Sequence, residues 1–445
     1  MKVVYVTHQY PPEFTTGTEL YADRLARSLR DRLEHDVHVY TFAPEWRNDA
    51  APFREEEGEL DGLPVTRVGM STRLHANQVL QSYYNVHVGK SFGKALDRLR
   101  PDVVHVFHPA FHGVSILEEA WLREIPVVVN LMDFWFICPT VQLVKTKDLV
   151  PCAGPAPLDC LECLAHTDGA YSGLARWSAS AGFDPWLPDE PGESGARWNQ
   201  PSPHAAYTAL AERPTFLREA LLTRASRIIA PSESLRDEFV RHGYARDRLE
   251  IVRYGVDPVP DATPARAASE TLRLGFIGSL NPPKGAHVLI DAVRELAGDL
   301  TLDVYGDPSQ FPDYSADAHA RARGDDRIRF LGRVEPSAVP GVLAGLDALV
   351  VPSIWPENTP FVVLEARAAG RPVVASSVAG IAEVVEDGAD GLLFAAGDVD
   401  ELRERLRALL DGSELRGSLG AVREDHRTLL DNAHDFARMY VEVTQ

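Results

Sequence analysis

The chain has 445 residues, 45% of them hydrophobic and 25% charged, which is typical of a globular protein of about two or three domains. Its formal net charge of -20 argues against nucleic acid as a partner, because phosphate binding needs a basic surface. The same acidity argues against broad docking on anionic lipid and leaves at most a peripheral membrane contact. Its simplest role is to keep the protein in solution.

No apolar run is long enough to cross a bilayer, and the N-terminal stretch MKVVYVTHQYPP lacks the long apolar centre of a signal peptide. Four cysteines in a chain of this length do not make a disulfide scaffold. We therefore expect a cytoplasmic protein.

The first half of the chain predicts alternating strands and helices. The valine-rich runs KVVYVT, DVHVYTF, PDVVHVF and IPVVVNLM are typical of buried strands. Between the first two, TELYADRLARSLRDRL has apolar residues at helical spacing. This order indicates βα units, and hence an α/β fold with a parallel sheet and helices on both of its faces.

The alternation stops after Pro139. Residues 139–215 are rich in Pro, Trp, Asp and Gly and have little periodicity, which predicts an insertion with local structure of its own. A regular pattern returns after this insertion. Residues 258–270 then lack a period and are rich in Pro and Ala, so we interpret them as a linker.

A second alternating series follows the linker. Its candidate strands are LRLGFIGSL, LTLDVYGD, RIRFLGRV, ALVVPS, RPVVASS and GLLF. We therefore expect two α/β domains in tandem, residues 1–257 and 271–427, with a last helix over residues 428–445. Ligands of such sheets bind beyond the carboxyl ends of the strands, and two facing domains would form a cleft there.

The stretch SIWPENTPFVVLEA, residues 353–366, contains the clearest candidate site. Glu357 follows a short apolar strand, while Thr359 and Pro360 are typical of a helix N-cap and a first helical turn. The free amides of that helix N-terminus would attract an anion or the oxygens of a sugar, and Glu365 can accept paired hydroxyl hydrogen bonds. The alternative is that Thr359 and Pro360 merely begin a helix and that both glutamates are solvated.

This stretch resembles the signature of the retaining glycosyltransferases of family 4, whose GT-B fold has two Rossmann-like domains facing a central cleft. The signature is Glu, seven residues, Glu-Ala, and then Gly-x-Pro-Val. It is matched here by Glu357, Glu365, Ala366, Gly370, Pro372 and Val373. The segments APSESL, YGVD, FIGSLNPPKGAHVLIDAV and IAEVVEDGADGLLF also match the family, and the resemblance covers nearly all of the chain outside residues 139–215.

The resemblance implies an enzyme that transfers a sugar from a UDP- or GDP-sugar to a hydroxyl of a glycan, a lipid-linked or a small-molecule acceptor, as in polysaccharide biosynthesis. It implies retention of anomeric configuration, no catalytic metal, an N-terminal domain on the acceptor side, and a last helix that returns to that domain. The alternative is a non-catalytic nucleotide-sugar-binding subunit. An epimerase that acts on the nucleotide sugar itself is disfavoured by the order of the motifs.

By the same resemblance, Glu365 would bind the ribose of the donor and Glu357 the hydroxyls of the transferred sugar. Lys284 would neutralise the charge that develops on the diphosphate leaving group, which stabilises the transition state most. A single lysine outside such a motif would be interpreted as solvated. The further donor-binding candidates are Gly17, Gly278, Ser279, Arg333, Asn358, Thr359, Pro360 and Phe361.

The loop before the first helix matches the family in part. The family usually has two glycines there, whereas this chain has only Gly17. Glu19 is either a favourable acid in the first turn of a helix or a ligand contact.

Two further positions differ from the family. Ser279 stands where many members have an arginine, and Met132 stands where many have a histidine before Asp133. Asp133 is therefore a candidate catalytic residue, and a nearby histidine can replace the missing one. His108 is the first candidate, although a histidine in such a segment is more often structural; the others are His105 and His112.

All cysteines lie in one short stretch: Cys138, Cys152, Cys160 and Cys163. The Cys160-x-x-Cys163 spacing is typical of metal ligands, and four thiolates would complete a closed, structural zinc site. A disulfide, or four separate buried thiols, are the alternatives. We favour zinc, because the segment has few apolar residues with which to pack.

Overall fold

The computed structural model describes residues 1–48, 51–71, 77–167, 203–257, 271–419 and 426–445. They form two compact units, here called the N-terminal unit and the C-terminal unit. The first comprises Met1–Pro231, Leu235–Arg253 and Leu430–Gln445, and the second comprises Ser232–Ser234 and Tyr254–Leu429. The division therefore lies at residue 253 rather than at the expected 257, and the expected linker, residues 258–270, lies outside the described residues.

The described part of the N-terminal unit contains an eight-stranded sheet with the order β3-β4-β2-β1-β5-β6-β7-β8. All neighbouring strands are parallel except β3 and β4. The strands are β1 (Lys2–Thr7), β2 (Asp36–Phe42), β3 (Phe53–Leu60), β4 (Leu63–Met70), β5 (Val103–Val106), β6 (Val127–Asn130), β7 (Arg227–Ala230) and β8 (Leu249–Ile251). Since β2 and β5 flank β1, the topological switch point of the sheet lies between β1 and β5.

The structure contains a hairpin, β3–β4, that was not among the elements expected from the sequence. Its two strands are joined by Asp61 and Gly62, whose φ angles of 47° and 82° are those of a tight hairpin turn. The first strand, FREEEGEL, is mostly exposed and has no apolar run, so its composition does not indicate a strand. The Asp-Gly dipeptide was the signal that could have revealed it.

The helices of the N-terminal unit pack around this sheet. They are α1 (Gly17–Leu33), α2 (Gln78–Gln81), α3 (Val86–Leu99), α4 (Ser115–Trp121), α5 (Pro157–Thr167), α6 (Pro203–Arg224), α7 (Glu233–Arg241) and the last helix, α15 (Leu429–Thr444). Helix α15 belongs to this unit from Leu430 onward. Its Tyr440 hydroxyl lies 3.2 Å from the Tyr5 hydroxyl of β1 and 2.6 Å from Nδ1 of His105.

The end of the expected insertion, residues 139–215, differs in the structure, because a helix runs across residue 215. Helix α6 begins at Pro203, within the segment predicted to have local structure of its own, and it packs against α5. Its apolar residues are not gathered on one face, so the helical pattern was weak. Residues 168–202 of the insertion lie outside the described residues.

The described part of the C-terminal unit contains a six-stranded, wholly parallel sheet with the order β11-β10-β9-β12-β13-β14. The strands are β9 (Leu272–Ile277), β10 (Leu300–Tyr305), β11 (Ile328–Gly332), β12 (Ala348–Val351), β13 (Val373–Ser376) and β14 (Gly391–Phe394). This is the doubly wound order, so a switch point lies between β9 and β12. Strands were expected at each of these positions.

The helices of the C-terminal unit cover its sheet and bury an aliphatic core that includes Leu274, Val350 and Val374. They are α8 (Ala286–Arg294), α9 (Pro312–Ala322), α10 (Val339–Gly345), α11 (Phe361–Ala368), α12 (Ala379–Ala382), α13 (Val399–Asp411) and α14 (Ser413–Leu419). Within the described ranges of both units, no helix combines the length and the apolar character that a membrane span requires.

Candidate functional site

The loops that follow β9 and β12 meet at the switch point of the C-terminal sheet. Lys284 ends a short 3-10 turn, Pro282–Lys284, after β9. Gly285 then has a φ of 71°, and a Cβ atom there would lie 1.9 Å from the carbonyl oxygen of Pro352. The amide of Ile354 donates to the Pro283 carbonyl at 2.8 Å. The backbone of one loop is therefore packed directly on the other.

This packing pairs Lys284 with Glu357. Lys284 Nζ lies 2.6 Å from Glu357 Oε1, and the hydroxyl of Ser353 donates to the same oxygen at 2.7 Å. The Glu357 side chain is only 5% exposed, and a buried carboxylate needs partners for its charge. The Lys284 ammonium and the Ser353 hydroxyl are these partners. Lys284 is 28% exposed, and its ammonium lies 5.1 Å from the centre of the Trp355 ring. We call these residues, Lys284, Ser353, Trp355 and Glu357, the Lys284 site.

The chain after Glu357 is held from several sides. The Asn358 amide donates to the Tyr254 hydroxyl at 3.3 Å and accepts from the Ser232 hydroxyl at 3.2 Å. The ring of Tyr254 lies 4.6 Å from the ring of Phe361. A Cβ atom at Gly380 would lie 1.5 Å from the carbonyl oxygen of Asn358, so the first turn of α12 requires glycine there.

The start of α11 differs from the expectation. The N-cap position is Pro360, with a φ of -64° and a ψ of 125°, and Thr359 makes no capping hydrogen bond. Instead, Thr359 is 7% exposed, and its hydroxyl has no partner among the described residues. The loop before α11 therefore contains a buried hydroxyl, that of Thr359, without a hydrogen-bond partner among the described residues.

The other predicted donor-binding residues are distributed over both units. Gly278 and Ser279 directly follow β9 and are half-buried, and Glu365 is half-buried in α11. Arg333 follows β11 with its side chain 41% exposed, 3.9 Å from Glu335. Gly17 is the exposed first residue of α1, in the N-terminal unit.

The N-terminal unit has a cavity of about 410 Å³ at its own switch point. His8, His108 and Asp133, which follow β1, β5 and β6, lie on its wall. The rings of His8 and His108 are 4.2 Å apart between their centres. We call it the His8 cavity; its other walls include Gln78, Trp135 and Thr140.

Both ring nitrogens of His108 are occupied. Nδ1 accepts the Ala110 amide at 3.1 Å, and Nε2 lies 2.9 Å from Asp133 Oδ2. The Trp135 amide donates to the other oxygen of Asp133 at 2.7 Å. Both contacts hold the imidazole in place, and the one at Nε2 orients the Asp133 carboxylate. A catalytic role of His108 stays a prediction.

His105 and His112 do not line the cavity. His105 is buried between the Tyr440 hydroxyl and the Asn130 side chain, and burial lowers the pKa of His105 to about 3. His112 donates to the Thr7 carbonyl at 3.0 Å, and burial lowers its pKa to about 4. Both residues are structural, which is the alternative that the sequence had left open.

Sequence reasoning missed the pair of His8 and Glu19. Glu19 is fully buried in the first turn of α1, with Oε1 3.1 Å from Nε2 of His8 and Oε2 accepting the Thr16 hydroxyl. The ring N–H of His8 is not directed at Oε1, so that oxygen is without a hydrogen bond. Burial raises the pKa of Glu19, whereas burial and the neighbouring His108 lower the pKa of His8 well below its usual value. Glu19 is thus an acid in the first turn of α1, as the first of the two expectations had it, and it is buried. The position of His8, directly after a strand end, was the available signal.

The cysteines are four free thiols in the segment from Cys138 to Cys163. Cys138 Sγ lies 3.3 Å from the Thr140 hydroxyl, and Cys152 Sγ donates to the Gly154 carbonyl at 3.3 Å. Burial and the nearby Cys138 thiol raise the pKa of Cys160 to about 12. In the described ranges, no group of three or more His, Cys, Asp or Glu side chains is arranged to hold a metal ion. The four thiols lie near one another without forming such a group, and zinc binding by them stays a prediction.

Two family descriptions match the chain. Residues 16–156 match the glycosyl transferase 4-like domain, and residues 271–412 match the glycosyl transferases group 1. The first segment lies in the N-terminal unit and the second in the C-terminal unit.

Curated relatives match over part of their length. A D-inositol 3-phosphate glycosyltransferase of Nocardia farcinica is 28% identical over 271 residues, 54% of this chain and 60% of the relative. A protein of the same name from Kribbella flavida is 30% identical over 52% of this chain and 62% of the relative. The match to one from Salinispora arenicola, at 29% identity, extends over 70% of this chain and 78% of the relative. The chain thus matches less than two thirds of the length of the first two.

Solved structures resemble the whole chain. HepE of Anabaena, in complex with UDP and glucose, has a TM-score of 0.60 at 18% identity and covers 100% of this chain and 97% of its own. Sucrose-phosphate synthase of Thermosynechococcus elongatus has a TM-score of 0.65 at 16% identity, with coverage of 99% and 98%. At such identities the likeness concerns the fold, and it confirms the GT-B fold that the sequence predicted.

Proposed function

Because this chain belongs to the group 1 glycosyl transferases, we propose that it transfers a sugar from a nucleoside diphosphate sugar to a hydroxyl group of an acceptor. The bond between the sugar carbon and the diphosphate breaks, and its electron pair stays on the diphosphate. The acceptor oxygen bonds to the same carbon, on the same face, and its proton passes to the departing phosphate. The observation that supports this most directly is the pairing of Lys284 with Glu357 at the switch point of the C-terminal sheet.

The Lys284 site supports the binding of the donor in the C-terminal unit. A diphosphate that gains charge as its bond breaks is stabilised by a fixed cation, and Lys284 is held by the loop contacts around Gly285. Glu357 would accept hydroxyl groups of the transferred sugar. The unpaired Thr359 hydroxyl and the free amides at the start of α11 provide further donors beside it.

The fixed lysine also supports a reaction without a catalytic metal. Lys284 can supply the positive charge that a magnesium ion supplies to a diphosphate elsewhere, so we propose that turnover does not depend on a divalent cation. Retention of configuration is proposed from the family resemblance of the Glu357–Glu365 signature.

A UDP-sugar is the first donor to test. HepE, which shares the fold, is described in complex with UDP-glucose. GDP-sugars are the second class of donor to test. A nucleotide-sugar donor also agrees with the expected cytoplasmic location, which stays a prediction.

The acceptor would bind in the N-terminal unit, at the His8 cavity. Asp133 is oriented there by His108 and by the Trp135 amide, so its carboxylate is fixed for a hydrogen bond from an acceptor hydroxyl. The D-inositol 3-phosphate of the curated relatives is one acceptor to test.

Donor hydrolysis tests the proposal. Purified protein is incubated with UDP-glucose, UDP-galactose, GDP-mannose and related nucleotide sugars, and the released nucleoside diphosphate is measured with and without EDTA. We expect slow hydrolysis of one donor, unaffected by EDTA and abolished in Lys284→Met. Binding of a nucleotide sugar without hydrolysis or transfer would favour the alternative, a non-catalytic subunit. Loss of activity in EDTA that only magnesium restores would contradict the role of Lys284.

A further inference from the structure

We propose that the His8 cavity binds a neutral, hydroxyl-rich acceptor and discriminates against a phosphorylated one. This inference rests on the proposed function, because it names the class of acceptor for the same transfer. It concerns the N-terminal unit alone.

The charge of the cavity wall is the first observation. None of its described lining residues is a lysine or an arginine, and Asp133 contributes a carboxylate. The carboxyl group of Glu19 lies directly behind His8. A phosphate group is normally held by an arginine, a lysine or a cluster of backbone N–H groups. Near the Asp133 carboxylate and without a lysine or an arginine in the described wall, its binding is unfavourable.

The neutral polar groups are the second observation. The lining residues include four side-chain amides and three hydroxyls besides the two imidazoles: Gln9, Gln78, Gln81, Asn85, Ser82, Thr140 and Thr167. The Ser82 and Thr167 hydroxyls already donate to backbone carbonyls, and Asn85 Oδ1 accepts a backbone amide, so these groups reach a ligand through their remaining donor or acceptor positions. Amides and hydroxyls can both donate and accept, as the hydroxyl groups of a sugar do. Phe111 and Trp135 add apolar wall against which the carbon skeleton of a sugar ring can pack.

Unpaired atoms of two lining residues are the third observation. Gln78 is 7% exposed, and neither its Oε1 nor the Nδ1 of His8 has a partner among the described residues. With the ring proton on Nε2, the nitrogen that lies 3.1 Å from Glu19 Oε1, Nδ1 is an acceptor. Both atoms therefore need a donor. Both atoms are buried, so a side-chain rotation has to expose them before a ligand hydroxyl can donate to them. A dianionic phosphate has only acceptor oxygens and cannot supply that donor.

The volume agrees with a small-molecule site. About 410 Å³ lies within the range of roughly 300–1,000 Å³ that is typical of such sites. This chain would then differ in acceptor from the relatives that are named for D-inositol 3-phosphate.

Direct binding of matched pairs tests the inference. The full chain, saturated with UDP, is titrated by ligand-observed NMR with myo-inositol against D-inositol 3-phosphate, methyl glucoside against glucose 6-phosphate, and neutral disaccharides against their phosphates. We expect at least one neutral member to bind, at least tenfold more tightly than its phosphate. A phosphorylated member that binds more tightly, or a complete absence of binding by the neutral members, would overturn the inference. Donor hydrolysis, measured separately, reports on the proposed function itself.

Variants locate the effect in the cavity. His8→Phe and Gln78→Leu each remove an acceptor atom at nearly constant shape, and each should weaken binding of the neutral ligand about five- to tenfold. The exposed His87→Phe is the matched control and should change nothing. Gln81→Lys adds a cation to the wall and should improve binding of the phosphorylated member at least fivefold. Unchanged binding in both His8→Phe and Gln78→Leu, with unchanged discrimination in Gln81→Lys, would place the acceptor elsewhere.

Discussion

Lys284 has two roles in the proposed chemistry that a single substitution cannot separate. It compensates the buried charge of Glu357 and, as proposed, stabilises the leaving group. Removal of one partner of a buried pair commonly costs about 3–5 kcal/mol of stability, because the other charge is left unpaired. A loss of activity in a lysine variant could therefore come from either role.

A pair of variants separates these roles. We expect Lys284→Met to lower both the melting temperature and the turnover number, the latter about 10²–10³-fold, as for the loss of an oxyanion-stabilising donor. Lys284→Met combined with Glu357→Gln should recover much of the melting temperature but none of the turnover. Differential scanning calorimetry and steady-state kinetics give the two readouts. The exposed Lys94→Met on α3 is the control, and recovery of turnover in the double variant would contradict the catalytic role.

Glu365 has a different predicted role, in donor affinity. Glu365→Ala should weaken the binding of the nucleoside diphosphate by about 1.5–3 kcal/mol, since it removes hydrogen bonds to a charged acceptor. Isothermal titration with UDP and GDP measures this loss. Glu404→Ala, an exposed carboxylate on α13 of the same unit, serves as the control. Equal affinity of the two variants would remove Glu365 from the donor site.

Among the structural elements, the two loops of the Lys284 site depend on one glycine. Gly285 has a φ of 71°, and its missing Cβ leaves room for the Pro352 carbonyl oxygen, 1.9 Å from where that atom would lie. Any other residue would push the β9 loop away from the β12 loop and so separate Lys284 from Glu357.

Gly285→Ala should therefore destabilise the C-terminal unit and weaken donor binding together. The left-handed backbone alone costs roughly 1–2 kcal/mol for a residue with a Cβ, and the clash adds to it. Thermal unfolding and UDP titration provide the measurements. Gly341→Ala is the matched control, because a Cβ there meets nothing within 4 Å in α10. A Gly285→Ala protein as stable as Gly341→Ala would contradict this account of the loops.

A buried arginine lies beside the cysteine-bearing segment around α5 and bears on the zinc prediction. Arg213 of α6 is 2% exposed, donates to the Trp135 and Ile137 carbonyls, and has no carboxylate partner in the described ranges. The Cys138 and Cys160 sulfurs near it would balance this buried charge if they were thiolates, as zinc ligation requires.

We expect one zinc ion per chain in protein purified without a metal-affinity tag, measured by elemental analysis. Cys160→Ser should lower the zinc content and increase hydrogen exchange in α5, while UDP binding persists. Because the four thiols as placed do not form a coordination group, binding would have to draw them together. Metal-free protein with a well-protected α5 would show the prediction to be wrong.

At the scale of the whole molecule, the buried histidines of the N-terminal unit make the stability of the fold depend on pH. The pKa values of His8, His105 and His112 are all lowered, mainly by burial. An unfolded chain has histidine pKa values of about 6.5, so between that value and the folded values the unfolded state binds more protons. Stability is therefore complete above about pH 6.5 and is lost as the pH falls towards 4 and 3, whereas the raised pKa of Glu19 acts in the opposite sense.

Acid should consequently loosen the N-terminal unit, by up to about 1.4 kcal/mol per pH unit for each histidine that titrates. Urea unfolding between pH 7.5 and 4.5, with hydrogen exchange at β1 and β5 as the local probe, measures the slope. His112→Gln retains a donor for the Thr7 carbonyl and should reduce that slope. An N-terminal unit whose stability is constant over this range would contradict the burial of neutral imidazoles.

The family and the fold were determined by the sequence alone. Strands such as KVVYVT and GLLF coincide with β1 and β14, since a run of buried β-branched or aliphatic residues is a local property. The Glu357–Glu365 signature lies within one short stretch, so its spacing can be recognised without a structure. The β3–β4 hairpin and the start of α6 were missed, because one is polar and the other has no apolar face.

The partners of the site residues were decided by the tertiary structure. Lys284 and Glu357 are 73 positions apart, and they meet because β9 and β12 are neighbours at a switch point. His108 meets Asp133, 25 positions away, because β5 and β6 are neighbours in the other sheet. The burial of Glu19 against His8 likewise depends on how α1 lies over the end of β1. Strand order and helix placement follow from packing of the whole sheet, and a local pattern of residues carries no information on either.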